Sequence, residues 1–273
     1  DQITWTGTYT PTNSYEDSSN TVALANTWTD TAGNTGTTAT TSNFAVDTLR
    51  PTLSSVAIAT NGDGAASNGD TVSLTFTSSE ALTANPTCTI SDSGAAMANS
   101  VSVSKSGLDY TCAVIVADDD ANGAVTYSIA FTDAAGNAGT AVTSGSGSVT
   151  IDNTHPTLDP VSIATNGDGD ASNADTVSLT FTASEALLAN PTCTISDSGA
   201  AMANAVSVSN NGLAYTCAVV VADDDANGAI TFSIAFTDAA GNVGTAVTST
   251  SDSTSVTIDN THPTLDPVSI ATN

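Results

Sequence analysis

Positive charge is almost missing from this chain. Of its 273 residues only Arg50 and Lys105 are basic, against 28 acidic ones, and the formal net charge is −26. Nucleic acids and anionic membrane surfaces are themselves polyanions, so neither fits as a partner. Aromatic residues are scarce, at 5%, which speaks against an aromatic-lined ligand site. No apolar run approaches the length of a membrane span, about 18 residues. No Gly-rich loop opens a helix, so a phosphate cradle is excluded as well. None of the asparagines heads an Asn-x-Ser/Thr acceptor, because Asn85-Pro86-Thr87 and Asn190-Pro191-Thr192 are blocked by proline. High acidity with few aromatics is also a signature of disorder, but 40% of the residues are apolar and they fall in alternating runs.

Repetition is abundant. Asp47-Thr48-Leu49-Arg50-Pro51-Thr52-Leu53 returns as Asp152-Asn153-Thr154-His155-Pro156-Thr157-Leu158, and again as Asp259-Asn260-Thr261-His262-Pro263-Thr264-Leu265. A long period with a proline at each boundary marks an array of domains. The expected division is 48–152 and 153–259 as full repeats. Residues 1–47 form the second half of a diverged repeat, and 260–273 the first strand of another. Such ragged ends suit a window in a longer array; a bolder reading has neighbouring chains completing each other by strand donation.

Within a repeat the alternation has period two, as in strands with one buried face. Val56 and Ile58 open the first full repeat. Val72, Leu74 and Phe76 follow, then Cys88 with Ile90, Val101 with Val103, and Tyr110 to Val116. Val125 to Phe131 and Val149 with Ile151 close it. Gly, Asn, Asp and Ser cluster between these runs as turns. Seven short strands in about 100 residues predict an all-β fold of tandem seven-stranded immunoglobulin-like sandwiches. In the leading segment, Trp5 and Tyr9 fall in the fifth-strand region, and Val22, Leu24 and Trp28 in the sixth. The second repeat's core is expected to hold Val177, Leu179, Phe181, Ile195, Val219, Ile234 and Phe236.

The Phe-Thr-Asp-Ala-Ala-Gly-Asn run (131–137 and 236–242) and the Asp-x-x-x-Pro-Thr-Leu junction resemble bacterial Ig-like repeats. Such repeats build large cell-surface adhesins, and similar arrays occur in algal extracellular fibre proteins. The resemblance implies a non-enzymatic, extracellular segment of a rod or filament. An algal flagellar hair or sheath component is one alternative, and a carbohydrate- or cell-binding module another. Its partners would be neighbouring repeats or copies of itself in a fibre, with any surface or glycan ligand outside this segment.

The cysteines recur as pairs, Cys88 with Cys112 and Cys193 with Cys217. By alternation each faces inward, on the third and fifth strands, at one end of the sandwich and in opposite sheets. That geometry suits a bridge within each repeat, with two buried free thiols as the other reading. A bridge implies an oxidising, extracellular compartment.

Acidic residues gather in the loops. The exit end of the first full repeat carries Asp63, Asp118 and Asp120, and the linker adds Asp152 and Asn153. The entry end of the next carries Glu185 and Asp238, and its own exit end Asp168, Asp223, Asp225 and Asp259. Stacked end to end, such loops would converge oxygen ligands with no positive charge, which is the chemistry of calcium. The layout is similar to cadherin junctions. A solvated acidic turn is the other reading of each run. The only histidines, His155 and His262, occupy the same linker position in successive repeats. They do not converge with a nucleophile in one pocket, so catalysis finds no foothold.

Overall fold

The computed structural model describes residues 4–62, 64–167, 169–266 and 268–270, and every regular element among them is a β-strand. No helix among the described residues is long and apolar enough to cross a membrane. The leading segment contributes β1 (Glu16–Asn20), β2 (Ala23–Leu24), β3 (Ala39–Thr40) and β4 (Phe44–Asp47). The first full repeat contributes β5 (Leu53–Thr60), β6 (Thr71–Ser78), β7 (Thr87–Asp92) and β8 (Ala95–Ala96), then β9 (Ser102–Ser106), β10 (Asp109–Ile115), β11 (Gly123–Ala130) and β12 (Thr150–Ile151). The second copies this as β13 (Leu158–Thr165), β14 (Thr176–Ala183), β15 (Thr192–Asp197) and β16 (Ala200–Ala201), then β17 (Ser207–Asn211), β18 (Ala214–Val220), β19 (Gly228–Ala235) and β20 (Thr257–Ile258).

The chain forms two compact units. One gathers Asp1–Ala59, Thr71–Ile115 and Ala124–Val149; the other gathers Thr60–Asp70, Val116–Gly123 and Thr150–Asn273. In the second unit the strands make two four-stranded antiparallel sheets, β13-β14-β18-β17 and β16-β15-β19-β20. The first unit has the matching antiparallel pairs β6–β10, β10–β9, β7–β11 and β7–β8. The two-residue β8 and β16 are returns too short to show any alternation, so the sequence pattern passes over them.

Strand phase follows the side-chain period. In β14, Val177, Leu179 and Phe181 point inward, and all are buried. Ile195 of β15 and Ile234 of β19 meet them from the other sheet in one continuous core, which also takes in Phe236, Cys217 and Val219. Phe181 lies opposite Tyr215 in register, and their rings stack with centroids 5.7 Å apart. Every expected core position of this repeat is buried. Between the sheets run the bridges Cys88–Cys112 and Cys193–Cys217, joining β7 to β10 and β15 to β18.

The leading segment departs from the expectation. Residues 4–10 form no strand, and the strands that do form pair only two by two, β1 with β4 and β2 with β3. A two-stranded ribbon has no facing sheet to cover its apolar side. Trp5, Tyr9 and Trp28 are accordingly exposed, Trp5 at 89%.

Candidate metal site at the entry end of each repeat

Asp238 follows β19 in a tight turn built by its own carboxylate. Its Oδ1 accepts the backbone N–H groups of Ala240 (2.9 Å) and Asn242 (2.8 Å), and its Oδ2 accepts Asn242 Nδ2 (2.9 Å). The Asn242 amide also donates to the Asp152 carbonyl oxygen at 2.8 Å, tying the linker to this turn. Asp152 is held from behind as well, its N–H donating to Ala66 O at 2.9 Å. Glu185 sits on the turn after β14, where Ser184 N–H donates to Thr157 O and Thr157 N–H returns to Ser184 Oγ. These constraints bring carboxylate oxygens of Asp152, Glu185 and Asp238 within 4.8 Å of one another.

The same set is built once more in the first unit. Asp47, Glu80 and Asp133 also place carboxylate oxygens within 4.8 Å of one another. Asp133 Oδ1 accepts from Ala135 N (2.9 Å) and Asn137 N (2.8 Å), and Asn137 Nδ2 reaches the Asp47 carbonyl at 3.2 Å. This cluster was not singled out from sequence, although Asp47, Glu80 and Asp133 stand at the spacing of Asp152, Glu185 and Asp238. The repeat period alone carries the signal for it.

The charges in each cluster respond to one another. Burial pushes the Glu185 carboxyl above its ordinary range, and the neighbouring charges of Asp238 and Asp152 push it further. Glu80 is raised in the same way, by burial first and then by Asp133, Asp47 and Glu16. Asp133 goes the other way. Burial alone would raise it, but hydrogen bonds from the Asn137 side chain and from the Asn137, Gly136 and Ala135 amides outweigh that and hold it low. The cluster of the first unit thus pairs Asp133, held ionised by its hydrogen bonds, with Glu80, which resists ionisation, and Glu185 resists it likewise in the second. All the donors are hard oxygens, as calcium prefers, and three carboxylates supply part of the roughly six to eight oxygens that ion takes.

Among the described residues, the other acidic side chains expected at the junction do not join these clusters. Asp63 and Asp168 lie outside the described residues. The Asp triplets divide: Asp118 and Asp223 are exposed, while Asp120 and Asp225 are buried. Asp120 Oδ2 accepts Ala117 N–H at 2.8 Å. Asp225 Oδ2 accepts Ala222 N–H at 2.7 Å and its Oδ1 accepts Ala203 N–H at 2.8 Å. These two carboxylates shape their own loops. Asp223 lies 3.6 Å from His262 Nε2. Asn153 uses its amide to clasp the linker, donating to Ala117 O (2.9 Å) and Asp120 O (3.0 Å). Asp259 is exposed and accepts Thr261 N–H at 2.9 Å; that bond and the Thr261 side chain hold its carboxyl low. His155 Nδ1 lies 2.9 Å from Val243 O.

Residues 1–46 match the model of the bacterial Ig-like domain family. No curated protein sequence matches the chain. Among solved structures, the I-band fragment I67–I69 of titin aligns with a TM-score of 0.42 at 10% identity, over 77% of this chain and 65% of that one. A tetra-tandem repeat from the extending region of a large adhesion protein aligns with a TM-score of 0.33 at 19% identity, over 88% of this chain and 56% of that one. The chain therefore spans less than two thirds of either. By their sheets and their disulfide-stapled cores the two repeats after the leading segment are immunoglobulin-like β-sandwiches, and residues 1–46 match the bacterial Ig-like domain.

Proposed function

We propose that the chain is a structural, non-enzymatic segment of a long extracellular rod or filament, of the kind that forms an adhesin stalk. Its working domains are residues 48–152 and 153–259, carried in series. One observation carries this reading: two successive sandwiches each hold an inter-sheet disulfide and an identical carboxylate set at the entry end. Disulfides support an oxidising, extracellular setting. Calcium at Asp152, Glu185 and Asp238, and at Asp47, Glu80 and Asp133, would neutralise charges that otherwise oppose one another. Neighbouring repeats, or copies of the chain in a fibre, are the partners.

The test is immunogold labelling of intact source cells with antibody to residues 48–259. Gold along surface fibres is expected; gold confined to the cytoplasm refutes the assignment. Calorimetry tests the cation separately, and no heat on adding calcium to the metal-free chain would leave the carboxylates as turn formers.

A second reading, glycan or cell binding, draws on the leading segment. Trp5, Tyr9, Val22 and Leu24 line an open groove of about 540 Å³ there. Glycan-array binding lost in Trp5→Ala would favour it over a purely mechanical role.

A further inference from the structure

Within the second unit, the loop that follows β5 meets the loop that follows β19. A Cβ placed on Gly64 would stand 2.7 Å from the Ala239 carbonyl oxygen, and one on Gly241 would stand 3.5 Å from Ser67 Oγ. Ser67 is itself buried. The Asp-Ala-Ala-Gly-Asn loop occurs with the same sequence in both repeats, and its turn carries the same internal hydrogen bonds in both. Its burial nevertheless differs. Ala240 and Asn242 are buried, whereas Ala135 is exposed and Asn137 half-buried. Equal sequence and equal turn geometry leave the surroundings as the cause, and at Ala239–Gly241 those surroundings include Gly64 and Ser67.

Gly169 stands in the second repeat where Gly64 stands in the first, and a Cβ there meets nothing within 4 Å. Of these two positions, only Gly64 is closely approached by another described residue.

We infer that the Gly64 loop is a seat for the Asp-Ala-Ala-Gly-Asn loop of an Ig-like repeat. The partner it fits is another repeat of this kind, and the missing side chain at Gly64 is the feature that admits it. The inference rests on the array reading and deepens it, because it names the surface by which one repeat recognises the next. The seat closes by shape and needs no cation.

The test uses the full chain with Gly64→Val and, separately, Gly169→Val, in calcium and again in chelator. Limited proteolysis mapped by mass spectrometry reads cleavage within residues 152–157. Gly64→Val is expected to speed that cleavage about tenfold, since cleavage tracks the population of the open joint. Gly169→Val is expected to match the wild type, which also shows that valine in this loop is tolerated. The difference between the two variants is expected with and without calcium. Equal cleavage of both variants, fast or slow, overturns the seat, as does a difference that vanishes in chelator. Cleavage that rises in every chain on chelation bears on the calcium reading alone and leaves the variant difference to decide this one.

Discussion

Replacing Phe236 by alanine probes the core at a position where the structure allows the cost to be worked out. The ring is 5% exposed and belongs to the single core of the second repeat. Restoring its apolar surface to water costs about 1.5–3 kcal/mol. The void left behind, of about 100 Å³ before relaxation, adds roughly 2 kcal/mol at about 24 cal/mol per Å³. The two sum to a loss of about 4 kcal/mol, inside the range of about 3–5 seen for buried Phe→Ala.

Gly244 sharpens the test. A Cβ there would overlap the Phe236 ring, 2.1 Å from Cε2. Gly244→Ala should therefore destabilise the wild-type chain yet cost little in the Phe236→Ala background, where the ring is gone. The coupling between the two should exceed about 1 kcal/mol. Urea unfolding, followed by the shift in midpoint at constant m-value, measures all three variants. The first repeat, with Phe131 intact, serves as an internal reference. A Phe236→Ala loss below about 1 kcal/mol, or additive single-variant effects, would refute the ring-on-glycine packing.

Three further outcomes are expected. Non-reducing peptide mapping should recover Cys88–Cys112 and Cys193–Cys217, and Cys193→Ala with Cys217→Ala should cost the second repeat about 3 kcal/mol; cross-repeat peptides would contradict the pairing. The Glu185 carboxyl is raised in the folded state, so its favourable contribution is complete below its unfolded pKa of about 4.3 and is lost as pH rises through the folded value. In chelator, Glu185→Gln should thus lose less stability than wild type between about pH 4 and 7, and a steeper loss would show the sign to be wrong. Removing the linker clasp by Asn153→Ala deprives Ala117 O and Asp120 O of a donor, at a cost of about 1–2 kcal/mol in thermal unfolding of the region around residues 116–123; a loss below a few tenths would mean solvent replaces the amide freely.

The sandwich was legible because period-two alternation is enforced by burial on one face. Val177, Leu179 and Phe181 could sit nowhere but inside once a strand was drawn through them. The pairing of cysteines followed from the same phase. Loops have no such period. In Asp223-Asp224-Asp225 nothing in the letters distinguishes the carboxylate that turns inward to bond Ala222 and Ala203 amides from those left in water. That choice is made by hydrogen-bond closure of the turn, which depends on where the flanking strands end. Glu185 and Asp238 were legible as neighbours because strand order fixes which loops share an end. In the leading segment the strand expected through Trp5 and Tyr9 does not form, and both rings are exposed, because alternation marks a buried face only where something covers it.

The bridge between β15 and β18 also sets how far a repeat can lengthen under tension. Cys193 and Cys217 are 24 residues apart in sequence, and the loop between them, with β16 and β17, is short-circuited by a covalent path. Pulled from its ends, the repeat can pay out only the chain outside that loop, at about 3.3–3.6 Å per residue. The strands within the loop carry no load, whether folded or not. Each unfolding step in a force–extension trace should therefore fall short of the full-repeat length by about 80 Å, and a reductant should restore it. An array of such repeats would yield under a sudden tug, then stop at a length fixed by its cystines.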